Sequence, residues 1–435
     1  MFELFGLLLS LALLVFLTMR GINIIVSAIA CSILLALTNH LNVEQALTDY
    51  YMNGFTGFLA SWFLIFMVGA VFGQFMLETK AADAIAEWIS RTFGPERAVF
   101  AVVAACAIMT YGGVSVFIVG FTLYPIAVAL FQKANLPHRF IPAALVFGSI
   151  SFTMTSPGSP EVQNLIPTEY FQTTPTAGGV IGVLIGLLIM VAGGLALGRM
   201  VRKAKAQGEG FQLPVKQQQL FARDEKGEAT LPHPLLSLIP LLAVVVLLNI
   251  LAQFMAASTA ALLSLSVGVA LIILINYKFL RKFWDPWATG TQNALIATAN
   301  TCAVVGFGSV AAEATSFQAI VDSLVHIPAS PLLGLAIGVT VISGITGSAT
   351  GGLGIALPLL APIYMAQGLD PGAMHRVSAL ASGGLDSLPH NGYVVTTVRV
   401  ICGETHERAY KPIFMLSVVI PTLAVLLSVL LYTIF

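Results

Sequence analysis

The sequence predicts an all-α polytopic membrane protein built from two inverted repeats, each with a re-entrant hairpin and an interrupted helix. Three observations carry this reading. Of the 435 residues, 57% are hydrophobic and 9% charged, with a mean hydropathy of +0.91, whereas a soluble protein is about 25% charged. Apolar runs of spanning length, about 20 residues, recur along the chain, and two longer ones are broken at mid-length by glycine clusters. The plan of the first half then recurs in the second. This composition excludes a soluble globule, a disordered chain and a secreted disulfide scaffold. Acids and bases balance at 20 each, so no oppositely charged partner is implied, and nucleic acid least of all.

Crossings are read at 2–19, 21–38, 57–77, 139–172, 175–199, 234–253, 259–279, 292–312, 373–402 and 411–435, the fourth and ninth being interrupted. The runs 98–132 and 330–367 break at Tyr111-Gly112-Gly113-Val114-Ser115 and at Gly347-Ser348-Ala349-Thr350-Gly351-Gly352. Their arms of about 14–18 residues fall short of a full crossing. Irregular backbone at membrane depth is tolerated only where it lines protein or water, so both runs are read as re-entrant hairpins. Segment 80–93 reads as an interfacial amphipathic helix with Asp83 and Glu87 toward water. Trp62, Trp88, Trp284 and Trp287 read as interfacial anchors. His40, His233, His326 and His406 fall in predicted solvated loops. Glu3 stands where a signal peptide carries basic residues, so the first run reads as a retained helix.

Charge placement gives sidedness. With the N-terminus outside and each hairpin returning to its own side, nearly every Lys and Arg falls inside, including the 199–226 cluster, and only Arg376 falls outside. Both termini are then outside. Counting each hairpin as two crossings leaves this pattern unchanged, so charge alone does not separate the two topologies.

The first repeat is placed at 1–199, a polar cytoplasmic linker at 200–233 and the second repeat at 234–435. A shift of 237 residues superposes Gly69 on Gly306, Pro125 on Pro362, Pro175 on Pro412, and His138-Arg139 on His375-Arg376, the two His-Arg dipeptides of the chain. Each half makes five crossings, an odd number, so the second half is inverted. Paired interrupted helices in inverted repeats mark secondary transporters, with the site near the bilayer midplane.

Four polar interruptions are the candidate site: the two hairpin tips, the run Thr153–Asn164, and the run Gly383–Gly392. Broken helices free N–H groups, and a helix N-terminus favours an anion. Tyr111, Gly112, Gly113, Ser115, Thr155, Ser156, Ser159, Asn164, Ser348, Thr350, Gly351, Ser387, His390 and Asn391 are the candidate substrate-binding residues. Asp386, His390 and Glu161 are the candidate proton-coupling groups, since ionisable residues at depth are functional candidates. None of the four segments carries Arg or Lys, so an anion would be held by helix ends, amides and hydroxyls. There is no Walker A motif, H-E-x-x-H or G-x-S-x-G, no cysteine pair with metal spacing, and hence no enzyme, metal or cofactor reading.

Gly347-Ser348-Ala349-Thr350, Ser382-Gly383-Gly384, Pro389-His390-Asn391-Gly392 and Gly403-Glu404-Thr405 resemble the gluconate:proton symporter (GntP-type) permeases of the ion-transporter superfamily. The run Asp386–Gly392 looks more like the 3-hydroxybutyrate permease branch. The resemblance implies import of a small hydroxy-monocarboxylate with protons across the bacterial cytoplasmic (inner) membrane. It also implies a homodimer with a scaffold and a moving elevator domain that carries the hairpins. Sodium coupling, and a channel or exchanger without organic substrate, stay open as alternatives.

Overall fold

The protein was described from a computed structural model, which describes residues 2–20, 22–94, 97–214, 217, 230–317, 319 and 330–435. His326 and residues 215, 216 and 218–229 of the linker lie outside the described residues. Every regular element among the described residues is helical.

The first half opens with α1 (Phe2–Met19) and α2 (Ile24–Thr38). Asn23 caps α2 by accepting from Ile25 N at 2.9 Å, and Asn39 closes it. Its 15 residues extend only about 22 Å, short of the roughly 30 Å hydrocarbon core. Then come α3 (Val43–Glu78), the amphipathic α4 (Ala81–Phe93), and a helical hairpin of α5 (Ala98–Tyr111) and α6 (Val116–Lys133). The first interrupted helix follows: α7 (Ile141–Val146, extended by a π-helical turn Phe147–Ser151), a break, and α8 (Val162–Phe171). Helix α9 (Gly179–Ala206) ends the half, reaching past the predicted boundary at 199.

The second half repeats this order. It comprises α10 (Pro234–Leu251), α11 (Ala257–Ile275), α12 (Asp285–Ala312), and a hairpin of α13 (Pro331–Thr346) and α14 (Ala349–Ala366). The second interrupted helix is α15 (Pro371–Ser382), a break, and α16 (Gly392–Ile401). Helix α17 (His406–Ile434) is last. By length and composition, eight helices among the described residues qualify to cross a membrane, namely α3, α6, α9, α10, α11, α12, α14 and α17. The remaining apolar helices are shorter. The chain is a multi-pass membrane protein.

Packing follows the same plan in both halves. The third helices α3 and α12 lie along each other as the most extensive helix contact. Glycines let their backbones approach: Gly54 sits against Ser309 and Val305 O, Gly290 against Val71, and Gly306 against Tyr51 O. Each hairpin places its first arm on the first piece of its own broken helix, α5 on α7 and α13 on α15. Each places its second arm on the last piece of the other half's broken helix, α6 on α16 and α14 on α8.

Several expectations change at the level of side chains. Trp62 is buried against Phe58 inside the bundle and is no interfacial anchor. Trp287 is half-buried and packs edge-on against Phe75 at 5.4 Å. Asp83 is half-buried and paired with Lys80 at 3.3 Å. His406 opens α17 half-buried, within 3.3 Å of Arg399 Nε.

The α3–α12 seam generates a test. A methyl on Gly290 would lie 2.7 Å from the Val71 Cα, an immovable backbone atom, whereas Gly57 has nothing within 4 Å. Overpacking of about 1–3 kcal/mol exceeds the roughly 1 kcal/mol that Ala gains over Gly in a helix. Gly290→Ala is expected to lower the melting temperature of the detergent-solubilised protein and Gly57→Ala to hold or raise it.

Candidate functional site

The four interruptions meet in two pairs. At the first, the hairpin tip Tyr111–Ser115 lies against the break between α7 and α8. The Tyr111 hydroxyl donates to Pro157 O at 2.6 Å. Gly113, at φ +90°, faces Pro160, a backbone that a side chain would strain. Asn249 from α10 donates to Gly158 O at 3.0 Å, and Gly158 N donates to Pro175 O at 2.8 Å. Ser156 donates to Phe152 O at 2.5 Å, and the Ser159 hydroxyl accepts from Glu161 N at 3.3 Å. Asn164 is fully buried and donates to Ser159 O and Pro175 O at 2.8 and 2.9 Å. Gly112 packs on Leu241, and Ser115 stands at the start of α6 without a capping side-chain bond. Glu161 occupies the N-cap position of α8, but its carboxylate caps nothing.

The second pair is formed by the tip Gly347–Gly352 and the break between α15 and α16. Gly347 adopts φ +60° because the His390 ring fills the space a side chain would take. Asn391 donates to Gly347 O at 3.1 Å and accepts from Val394 N at 2.8 Å, so one amide holds the tip and caps α16. Ser348 caps α14 by accepting from Gly351 N at 3.1 Å, and Thr350 is buried one turn in. Asp386 is buried and accepts from the Ser387 hydroxyl at 2.8 Å. Tyr410 of α17 donates to Ser387 O at 3.1 Å.

The two pairs touch. A methyl on Gly383 would lie 3.4 Å from the Thr155 methyl. Tyr393, at the start of α16, reaches Ser149 at 3.2 Å and packs edge-on against Phe117 of α6 at 5.5 Å. The Thr155 hydroxyl is buried with no hydrogen-bond partner among the described residues. A cavity of about 460 Å³ opens beside the first pair, with Tyr111, Thr153, Ser156 and Pro157 on its polar side and Leu241 and Val245 opposite.

Three ionisable residues that the sequence reading kept out of the site are buried: Arg376 and His375, which reach the first break, and His138, while Arg139 is half-buried. Arg376, expected outside, is fully buried. Its guanidinium donates to Thr155 O, to Pro175 O at 3.1 Å, and to Ala177 O from Nε at 3.0 Å and from Nη2 at 2.8 Å. So a cation does reach the first break, from a helix of the other half. His375 bridges the Thr173 hydroxyl at 2.6 Å and Asn164 Oδ1 at 3.2 Å. The matching dipeptide, His138-Arg139, reaches the other way. His138 Nδ1 lies 2.8 Å from Glu404 and its Nε2 lies 3.0 Å from the Tyr124 hydroxyl. Arg139 grips Glu209 through two 2.8 Å contacts and holds that carboxyl below its ordinary range. His375 and Arg376 thus reach the first half's break and the loop after it, and His138 reaches Glu404 after the second half's broken helix, whereas Arg139 pairs with the linker that follows its own half. The signal was present in the sequence as the recurrence itself.

Residues 13–283 match the citrate transporter family, CitMHS. An uncharacterized transporter of Bacillus subtilis strain 168, YxjC, is 33% identical, covering 99% of each chain. An uncharacterized transporter of Haemophilus influenzae is 28% identical over 28% of this chain and 29% of its own. Among solved structures, the YdaH transporter of Alcanivorax borkumensis superposes with a TM-score of 0.54 at 17% identity, over 90% of this chain and 88% of that one. MtrF of Neisseria gonorrhoeae, described as illuminating a class of antimetabolite efflux pumps, gives 0.53 at 14% identity, over 89% and 83%. At such identities these two show the fold alone.

The second pair generates a test of coupling. Asn391→Ala removes both a cap, worth about 1 kcal/mol, and the bond to Gly347 O. Gly347→Ala adds strain at a left-handed residue and displaces His390. Both act on one contact, so a double-mutant cycle on unfolding midpoints is expected to show a coupling of about 0.5 kcal/mol or more; strict additivity would mean tip and break are held independently.

Proposed function

The chain belongs to the CitMHS citrate transporter family, and from that premise we propose that it is a secondary active transporter that imports a small hydroxy-carboxylate by proton symport. It is a membrane transporter and not an enzyme. The observation that carries the cargo reading is that each hairpin tip meets a helix break, Tyr111 at Pro157 O and Gly347 at Asn391, and that the two breaks touch at Thr155 and Gly383. That meeting gathers helix N-termini, buried hydroxyls and amides where a carboxylate is favoured. The family description names citrate; the hairpin and loop motifs resemble permeases for gluconate and 3-hydroxybutyrate. All three cargoes share a carboxylate beside a hydroxyl. The lone guanidinium at the first break suits a monocarboxylate headgroup, and this is the reading preferred here.

Inverted repeats support alternating access. The crossed packing of the hairpins, α6 on α16 and α14 on α8, is the relation a two-fold axis in the membrane plane produces. In this reading the paired α3 and α12 belong to the scaffold, the hairpins and broken helices move as an elevator, and the protein works as a homodimer with both termini outside. All four native cysteines are buried, so added ones report cleanly. Ser115→Cys is expected to react with membrane-impermeant maleimide from the cytoplasm and Ser348→Cys from outside. Labelling of both tips from one side would overturn the inversion.

Coupling and cargo are tested in proteoliposomes with pH and sodium gradients imposed separately. Uptake of labelled 3-hydroxybutyrate, gluconate or citrate is expected to follow an inward proton gradient. Uptake that follows sodium alone favours the sodium-coupled alternative, with Asp386 then orienting the loop around a cation. No saturable uptake of any of the acids would remove the cargo reading. Asp386→Asn is expected to abolish accumulation while leaving counterflow exchange, because a neutral amide mimics the protonated carboxyl. A hydroxyl-reading site discriminates against analogues that leave its groups unpaired, so butyrate is expected to compete at least tenfold worse than the matching hydroxy acid.

A further inference from the structure

The two His-Arg dipeptides stand at matching places in the two halves, but their charges are answered differently. In the first half, His138 faces Glu404 at 2.8 Å and Arg139 faces Glu209 at 2.8 Å, so two bases meet two acids. In the second, His375 meets a hydroxyl and an amide, and the recorded partners of Arg376 are all backbone carbonyls. Among the described residues no carboxylate pairs with either. Asp370, the nearest acid before Arg376 in the chain, is exposed and caps α15 through Ala373 N at 2.7 Å.

A guanidinium stays charged at any physiological pH. Carbonyls satisfy its N–H groups without cancelling its charge, and a buried charge lacking a counter-charge is strongly disfavoured, most of all in a bilayer. Four hydrogen bonds to carbonyls are recorded, against five N–H donors. The unused one is on Nη1, the nitrogen that also reaches Thr155 O. The Thr155 side chain is 2% exposed with an unpartnered hydroxyl. A charged N–H without a recorded partner and a buried hydroxyl without one thus belong to two residues already in contact, Arg376 and Thr155, beside Gly383.

We propose that the missing counter-charge is the cargo's own carboxylate: Arg376 is the fixed positive charge of the anion site, with the Thr155 hydroxyl as its neighbouring donor. The cargo headgroup then supplies to Arg376 the counter-charge that Glu209 supplies to Arg139. This rests on the reading of the protein as a carboxylate transporter and adds which residue of which half confers the selectivity for an anion.

The experiment measures equilibrium binding to the full-length protein in nanodiscs. The probes are 3-hydroxybutyrate, gluconate and citrate, and the methyl ester of whichever acid the wild type binds best. Arg376→Gln is expected to weaken that acid about 30-fold, as loss of a buried charge partner does, and to leave the ester within about twofold. Arg376→Lys, which keeps the charge, is expected to recover most of the acid affinity. A merely structural Arg376 would move acid and ester together. Should Arg376→Gln fail to fold, Thr155→Val carries the test: it is expected to weaken the acid several-fold more than the ester, and equal loss overturns the proposal. A wild type that binds acid while Arg376→Gln binds it unchanged overturns the role of Arg376 and leaves the transport reading standing. A wild type that binds none of the acids removes the transport reading itself, and this inference with it.

Discussion

A helix broken inside a bilayer frees N–H and carbonyl groups that have no water to turn to, and each must be satisfied by protein. Much else in this molecule follows from that constraint. The carbonyls of Thr155, Pro175 and Ala177 are taken by a guanidinium from the other half. The carbonyls of Pro157 and Gly158 are taken by Tyr111 and Asn249. In the second break, Gly384 O is taken by Thr422 and Ser387 O by Tyr410, both from α17. Distant segments close around the breaks and satisfy their freed carbonyls, so site and fold share one set of interactions.

The same constraint accounts for the glycines that matter. Gly113, Gly158 and Gly347 all adopt positive φ where a tip meets a break, and at Gly347 the space beside the backbone is already filled by His390. Along the α3–α12 seam the glycines serve close helix approach instead. One set of glycines shapes the site, and the other joins the halves at a place remote from it.

Charge is arranged with less symmetry than backbone. Helix order and hairpin packing recur in both halves among the described residues. The acids do not: Glu404 and Glu209 answer the first dipeptide, and among the described residues neutral groups answer the second. Two halves of one plan therefore present different fields to their loops.

The sequence by itself determined that the chain is helical and polytopic, because apolar runs of spanning length admit little else in a bilayer. It also located the hairpin tips and breaks, since glycine and proline clusters interrupt helices through local backbone physics that needs no tertiary context. It pointed to Asn391, Ser348 and Tyr111 because their neighbourhoods are polar within apolar runs. Only the tertiary structure decided which tip meets which break, that Trp62 faces the bundle interior, and that Arg376 is buried at the first break. Hydropathy counts a charge near a helix start as a loop residue. Whether that charge meets water or a neighbour's carbonyls depends on segments some 200 residues away in the chain, and no local pattern carries that information. The recurrence of His-Arg at matching places marked both dipeptides, but a recurrence shows that a role is shared and leaves its chemistry to the partners that folding supplies.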